Sequence, residues 1–106
     1  MRSPATVLLV ARDGEPPEIV GTLTLVVFRI PTGLRAWVED VVVDDSVRGR
    51  GVGSALTREA LRRAEAAGAR TVDLTSRPSR EAANRLYRQL GFELRDTNVY
   101  RYSTGG

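Results

Sequence analysis

Histidine, cysteine and lysine are all missing from this 106-residue chain. Without cysteine there is no disulfide, no thiolate nucleophile and no sulfur ligand for a metal. Without histidine there is no Ser-His-Asp chemistry and no imidazole ligand. A carboxylate-only Mg²⁺ or Ca²⁺ site needs a spacing of acidic residues that the chain does not contain. The lack of lysine excludes a Schiff base and the P-loop motif that ends in Gly-Lys. No apolar run approaches the roughly 18 residues of a membrane span. The opening residues Met1, Arg2, Ser3 and Pro4 lack the apolar stretch of a signal peptide. The expectation is a cytoplasmic protein that binds no metal and enters no membrane.

What is present is ordinary for a globular protein: 42% hydrophobic and 27% charged residues, enough apolar surface to rule out a disordered chain. The length predicts one domain over residues 1–106 with a core of its own. All sixteen basic residues are arginine, and they are unevenly placed. Residues 1–47 hold four arginines against seven acids, whereas residues 48–106 hold twelve against six. The basic half favours a phosphate-bearing partner, a nucleotide-like cofactor or a nucleic acid.

Residues 6–12, 19–30 and 35–43 are apolar and β-branched, which predicts three strands. Asp13, Gly14, Pro16 and Pro17 break the first pair, and Pro31, Thr32 and Gly33 the second. Turns this short predict an antiparallel meander. Strict alternation along the third strand puts Trp37, Glu39, Val41 and Val43 on one face, and Ala36, Val38, Asp40 and Val42 on the other. The period then changes: Val52, Ala55, Leu56, Ala60, Ala64 and Ala67 recur at helical spacing, with Arg58, Glu59, Arg62, Arg63 and Glu65 outside. Gly68 suits a helix C-cap. Residues 71–76 read as a short strand. Pro78 and Ser79 open a second helix that runs to about Leu90 and ends at Gly91. Residues 92–95 and 99–102 read as two closing strands around Asp96, Thr97 and Asn98, with a frayed tail at 103–106. The predicted class is α/β (α+β), a mixed and mostly antiparallel sheet in the order β-β-β-α-β-α-β-β with the helices packed on it.

The site-like segment joins the third strand to the first helix: Arg48, Gly49, Arg50, Gly51, Val52, Gly53, Ser54. Glycines at three alternate positions are costly unless the backbone must bend sharply or approach something closely. A loop that opens a helix aims free N–H groups and the positive end of the helix dipole at one place, which suits a phosphate. Arg48 and Arg50 add donors and charge. A plain glycine-rich turn before a solvated basic helix is the other reading of these residues. The dinucleotide-binding pattern G-x-G-x-x-G fails, because the last glycine is replaced by Leu56.

Arg48, Gly51 and Gly53 match [QR]-x-x-G-x-[GA], and in this context the segment resembles the signature of the GNAT superfamily of N-acetyltransferases. Leu86, Tyr87, Gly91 and Phe92 are similar to that family's late L-Y-x-x-x-G-F block. Together the two blocks and their surroundings cover roughly residues 35–102. The chain resembles a short member that lacks the family's usual N-terminal strand and two helices, which in the family wall the acceptor site. That gap suggests a homodimer in which each subunit covers the other's site.

The resemblance implies the acetyl donor acetyl-CoA, no metal, and transfer to a primary amine by direct attack in a ternary complex. It implies that Arg48, Gly49, Arg50, Gly51 and Gly53, with Ser54 beside them, hold the cofactor's pyrophosphate. It implies that the backbone of Val41 and Val43 pairs with the pantetheine arm, and that an amide near Val41 polarises the thioester carbonyl. Tyr87 falls where the family commonly places a general acid; as a phenol it can protonate a thiolate, or it can simply be a packed aromatic. The family's usual asparagine seven residues before this tyrosine is Arg80 here, so Arg80 can reach a phosphate and Asn84 can supply the amide. Glu39 is the candidate general base, placed by parity on the face of Val41 and Val43, with a salt-bridged surface carboxylate as the alternative. Trp37 lines the acceptor pocket or belongs to the core. The acceptor is a small-molecule or protein amine. The competing readings are an acyl-CoA-binding module with little or no turnover and, behind it, an arginine-rich nucleic-acid binder. No nucleic-acid-binding motif supports the latter, so no nucleic-acid partner is expected.

Overall fold

The computed structural model describes residues 5–105. Residues 1–4, where no signal peptide is expected, and Gly106 of the expected tail lie outside the described residues. The chain forms two compact units, Met1–Ser76 and Arg77–Gly106.

The first unit is a four-stranded sheet with one long helix. β1 (Ala5–Asp13), β2 (Glu18–Ile30) and β3 (Gly33–Val43) make the expected antiparallel meander. A short 3-10 turn (Asp45–Val47) and α1 (Val52–Ala66) follow, and β4 (Val72–Asp73) returns parallel to β3. The order across the sheet is β1-β2-β3-β4. Alternation along the strands sends Leu9, Leu23, Leu25, Ala36 and Val38 to one face, where they meet Leu56, Ala60 and Ala64 of α1. Leu23 and Leu25 are fully buried. The α1 stripe is built from small residues, so the helix axis can approach the sheet closely. Thr57 is the one buried polar residue of that stripe, and its hydroxyl donates to the Gly53 carbonyl at 2.7 Å. Ala55 and Ala67, counted above with the apolar stripe, are exposed.

Two departures from strict strand logic matter for the site. Thr24 pairs with Glu39 but Thr22 pairs with Val42, so Leu23 faces two residues of β3. The extra residue is a β-bulge, and Asp40 takes up its strain in a left-handed conformation, φ 52°. The bulge resets parity. Val41 packs on the core with Val38, while Val42 is exposed on the face of Trp37 and Glu39. The expectation that Glu39 shares a face with Val41 and Val43 is therefore wrong, because a strict period of two cannot survive an inserted residue. The second departure is Gly21, buried on β2 opposite Val43. A Cβ there would lie 2.8 Å from Val52 Cγ1 and 3.0 Å from Leu56 Cδ1. The absent side chain is what lets the first turn of α1 rest on the sheet.

The second unit contains α2 (Glu81–Gln89). It begins later than Pro78 and Ser79 suggested, and Arg80 is its N-cap residue, without a side-chain cap. Its C-terminus is a Schellman motif: the Phe92 N–H donates to the Tyr87 carbonyl at 2.9 Å and Gly91 is left-handed at φ 101°. The hydrophobic contact that accompanies such a cap is the edge-on pair of Tyr87 and Phe92, ring centroids 5.7 Å apart. The two closing strands are not formed; residues 92–105 carry no regular secondary structure. Leu94, Val99, Tyr100 and Tyr102 are exposed instead. β-branched and aromatic composition favours a strand only where a partner completes the ladder, and an isolated hairpin is at best marginal in water. Likewise β4 is two residues long rather than the six expected.

Candidate functional site

The glycine-rich loop sits where β3 delivers the chain to α1. Asp44 turns the chain: its N–H donates to the Val20 carbonyl at 2.8 Å and its carboxylate accepts from the Ser46 N–H at 2.9 Å. The Ser46 backbone and hydroxyl donors hold that carboxyl below its usual range. Val47 is buried and anchors the turn. Beyond it the Arg48 N–H donates to the Asp45 carbonyl and the Arg50 N–H to the Val47 carbonyl. Gly49 and Gly51 are both left-handed, φ 78° and 80°, and Gly51 is the N-cap of α1. Here the glycines answer to backbone conformation, since a Cβ at either would meet nothing within 4 Å.

This conformation decides where the amides go. Ala55 is the first residue of α1 whose N–H finds a carbonyl, that of Gly51. The N–H groups of Val52, Gly53 and Ser54 precede it and have no backbone carbonyl partner among the described residues; neither do those of Gly49 and Gly51. No side chain caps the helix. Five amide donors therefore surround the positive end of a fifteen-residue helix, beside open space at the two left-handed glycines. Arg48 and Arg50 flank it, both exposed and both ion-paired. Arg48 Nε lies 2.5 Å from Asp45 Oδ1, and Arg50 Nη2 lies 3.3 Å from Asp13 Oδ2 at the end of β1.

The second feature is an open edge. β4 pairs with β3 only at Ala36 and Trp37, so residues 38–43 of β3 have no ladder partner on that side among the described residues. Val41 and Val43 lie on this stretch, and the bulge at Asp40 rotates its backbone. Past β4, Ser76 Oγ is buried without a hydrogen-bond partner among the described residues. A buried hydroxyl left in that state is one that water or a ligand completes. Glu39 and Trp37 stand on the face away from α1, where the Trp37 indole N–H donates to the Glu39 carboxylate. No group of acids among the described residues could hold a metal ion.

Arg80, Asn84 and Tyr87 lie in the second unit. The Asn84 side chain donates to the Arg77 carbonyl at 3.0 Å and pins the turn that leads into α2. Tyr87 is buried, with its ring against Phe92. The structure adds residues that the sequence did not single out: Gly21, which seats the helix N-terminus, and Asp13, which holds Arg50. A lone glycine inside a strand is a known sign of close approach. Nothing local announces the Asp13 pair.

A sequence model of the Acetyltransferase (GNAT) family matches residues 1–92. An uncharacterized N-acetyltransferase of Methanocaldococcus jannaschii is 38% identical over 58 residues, which is 55% of this chain and 26% of that protein. The crystal structure of a transcriptional regulator from Bacillus halodurans is 35% identical at a TM-score of 0.80, covering 92% of this chain and 66% of its own. A Trypanosoma brucei acetyltransferase structure is 28% identical at a TM-score of 0.81, covering 92% and 69%. The chain thus spans about a quarter of the length of the archaeal relative and about two thirds of the solved structures. No helix of the described residues is long and apolar enough to cross a membrane.

Proposed function

The chain belongs to the GNAT acetyltransferase family, and on that premise we propose that it transfers the acetyl group of acetyl-CoA to a primary amine. One observation carries the reading: the five unpartnered amides from Gly49 to Ser54 at the N-terminus of α1. They fit a diphosphate by number, charge and access. Acetyl-CoA, when bound, supplies the thioester and hence the acetyl group. The chain's own residues do the rest. The amides of Gly49, Gly51, Val52, Gly53 and Ser54 neutralise phosphate oxygens, with Arg48 and Arg50 adding charge-assisted donors. The open edge of β3 offers the N–H and C=O groups of Val41 and Val43 to an amide-bearing arm, and an N–H there can stabilise a developing oxyanion.

Glu39 is the acid placed to accept the ammonium proton, directly or through water. The Trp37 indole N–H orients its carboxylate. The bulge turns Val41 to the core, so Glu39 lies on the sheet face opposite α1 rather than beside the valine side chains. Tyr87 keeps the role its motif implies, proton donor to the departing thiolate. Arg80 has no ion-pair partner among the described residues, whereas the Asn84 amide is already committed to its own turn.

Isothermal titration with acetyl-CoA on the wild type and on Gly51→Glu tests the reading. Micromolar binding that is lost in a variant with unchanged circular dichroism is the expected result. A folded wild type that binds no acetyl-CoA overturns it.

A further inference from the structure

Both arginines of the glycine-rich loop are already engaged by carboxylates. Arg48 is held by Asp45 within the loop, and Arg50 by Asp13, which arrives from the β1–β2 hairpin. The surroundings are acidic beyond these pairs: Glu15 and Glu18 follow in the same hairpin, and Asp44 precedes the loop. Among the described residues, Asp44 alone of these three has a local donor, its carboxylate taken by Ser46. Before a ligand arrives, then, the amide cradle is ringed by arginines whose charge is already compensated. Compensation of this kind weakens the patch's pull on an anion through bare charge. The patch yields its arginines only to a ligand that outcompetes the carboxylates.

We propose that Asp13 and Asp45 are specificity-determining counter-charges: they mask Arg50 and Arg48 until a polyanionic diphosphate displaces them. This rests on the phosphate-cradle reading above and adds how the cradle chooses its ligand. A diphosphate reaches the five amides and both guanidiniums together, and this multiple engagement repays the two lost pairs. A singly charged anion engages too few donors to release either arginine. Asp13 has the further property of belonging to a different element from its partner. Release of Arg50 therefore removes one of the ties between the loop and the β1–β2 hairpin.

The sign of the test follows. Asp13→Asn keeps shape and hydrogen-bonding capacity, removes the competing charge and frees Arg50. Exposed pairs of this kind are weak, so the expected change is about two- to fivefold tighter binding. Titrations of inorganic pyrophosphate and of coenzyme A in about 0.1 M salt, on the wild type, Asp13→Asn and Asp45→Asn, give the readout. Glu65→Gln is the charge-matched control; it changes the net charge equally but lies near the far end of α1, about 20 Å from the loop by helix rise, two Debye lengths at about 0.1 M salt. The expected result is tightening in Asp13→Asn and Asp45→Asn for both ligands, no change in Glu65→Gln, and loss of the differences in about 1 M salt.

Weaker binding in Asp13→Asn shows that the carboxylate positions Arg50 rather than masks it, and overturns the proposal. So does tightening no greater than that of Glu65→Gln. If the wild type binds pyrophosphate but not coenzyme A, the acetyl-CoA reading fails while the carboxylate variants still decide the masking. If no protein binds either ligand, both fail.

Discussion

Replacing Gly21 by alanine should damage the cofactor loop from the far side of the helix. The new Cβ would meet Val52 Cγ1 at 2.8 Å and Leu56 Cδ1 at 3.0 Å. A valine in a helix has essentially one χ1 rotamer, so Cγ1 cannot swing aside. The helix must shift or the sheet must give, and overpacking of this size costs about 1–3 kcal/mol. For a chain of this length that is a fall in Tm of about 4–24 °C, at about 4–8 °C per kcal/mol. The displaced element is the first turn of α1, which carries the free amides of Val52, Gly53 and Ser54, so acetyl-CoA affinity should fall although no ligand contact is touched. Thermal unfolding followed by circular dichroism measures the first effect, and calorimetric titration well below Tm the second. A double-mutant cycle with Val52→Ala isolates the contact: with Cγ1 gone the Leu56 approach and an ordinary 3.4 Å contact with the Val42 carbonyl oxygen remain, and the alanine should cost less than half as much. A Gly21→Ala protein within about 0.5 kcal/mol of wild type, or one that loses as much in the Val52→Ala background, refutes the reasoning.

Three further outcomes follow from the same geometry. Gly91 is left-handed at φ 101° with open space around it, so Gly91→Ala should cost about 1–2 kcal/mol of conformational strain alone, with Gly91→Asn recovering part of it; a neutral alanine in urea unfolding contradicts the Schellman cap. Tyr87→Phe keeps the ring against Phe92 and should leave Tm unchanged while acetyl transfer falls about a hundredfold or more; full activity would leave the residue a structural role only. Glu59 is held at about 2 by Arg62 and Arg63, below the usual 4.5. Its lowered folded value means that its stabilisation is complete above pH 4.5 and drains away as pH falls toward 2. The stability gap between wild type and Glu59→Gln should therefore close across that range and be smaller in 1 M salt, since the group is exposed; a gap independent of pH contradicts the pairing.

The local chemistry of this protein was legible in its residues. Alternate glycines before a helical period announced a sharply bent loop and a helix N-terminus, and these stand at Gly49, Gly51 and Val52. Tyr87, Gly91 and Phe92 announced a helix end, and the structure explains the block as a cap whose flanking rings touch. The three-strand meander followed from turn residues alone, because Asp13, Gly14, Pro31 and Gly33 act within a few bonds. What failed were the inferences that depended on strand register or on a partner strand beyond that meander. Nothing in residues 92–102 shows whether a ladder awaits them, and none forms. Alternation along β3 broke at Asp40 because the bulge is defined by the register of Leu23 against two residues, a relation between strands. For the same reason the parity of Glu39, the seating of α1 on Gly21 and the Asp13–Arg50 pair belong to tertiary structure: each joins residues far apart in sequence, and only the packed sheet fixes which groups meet.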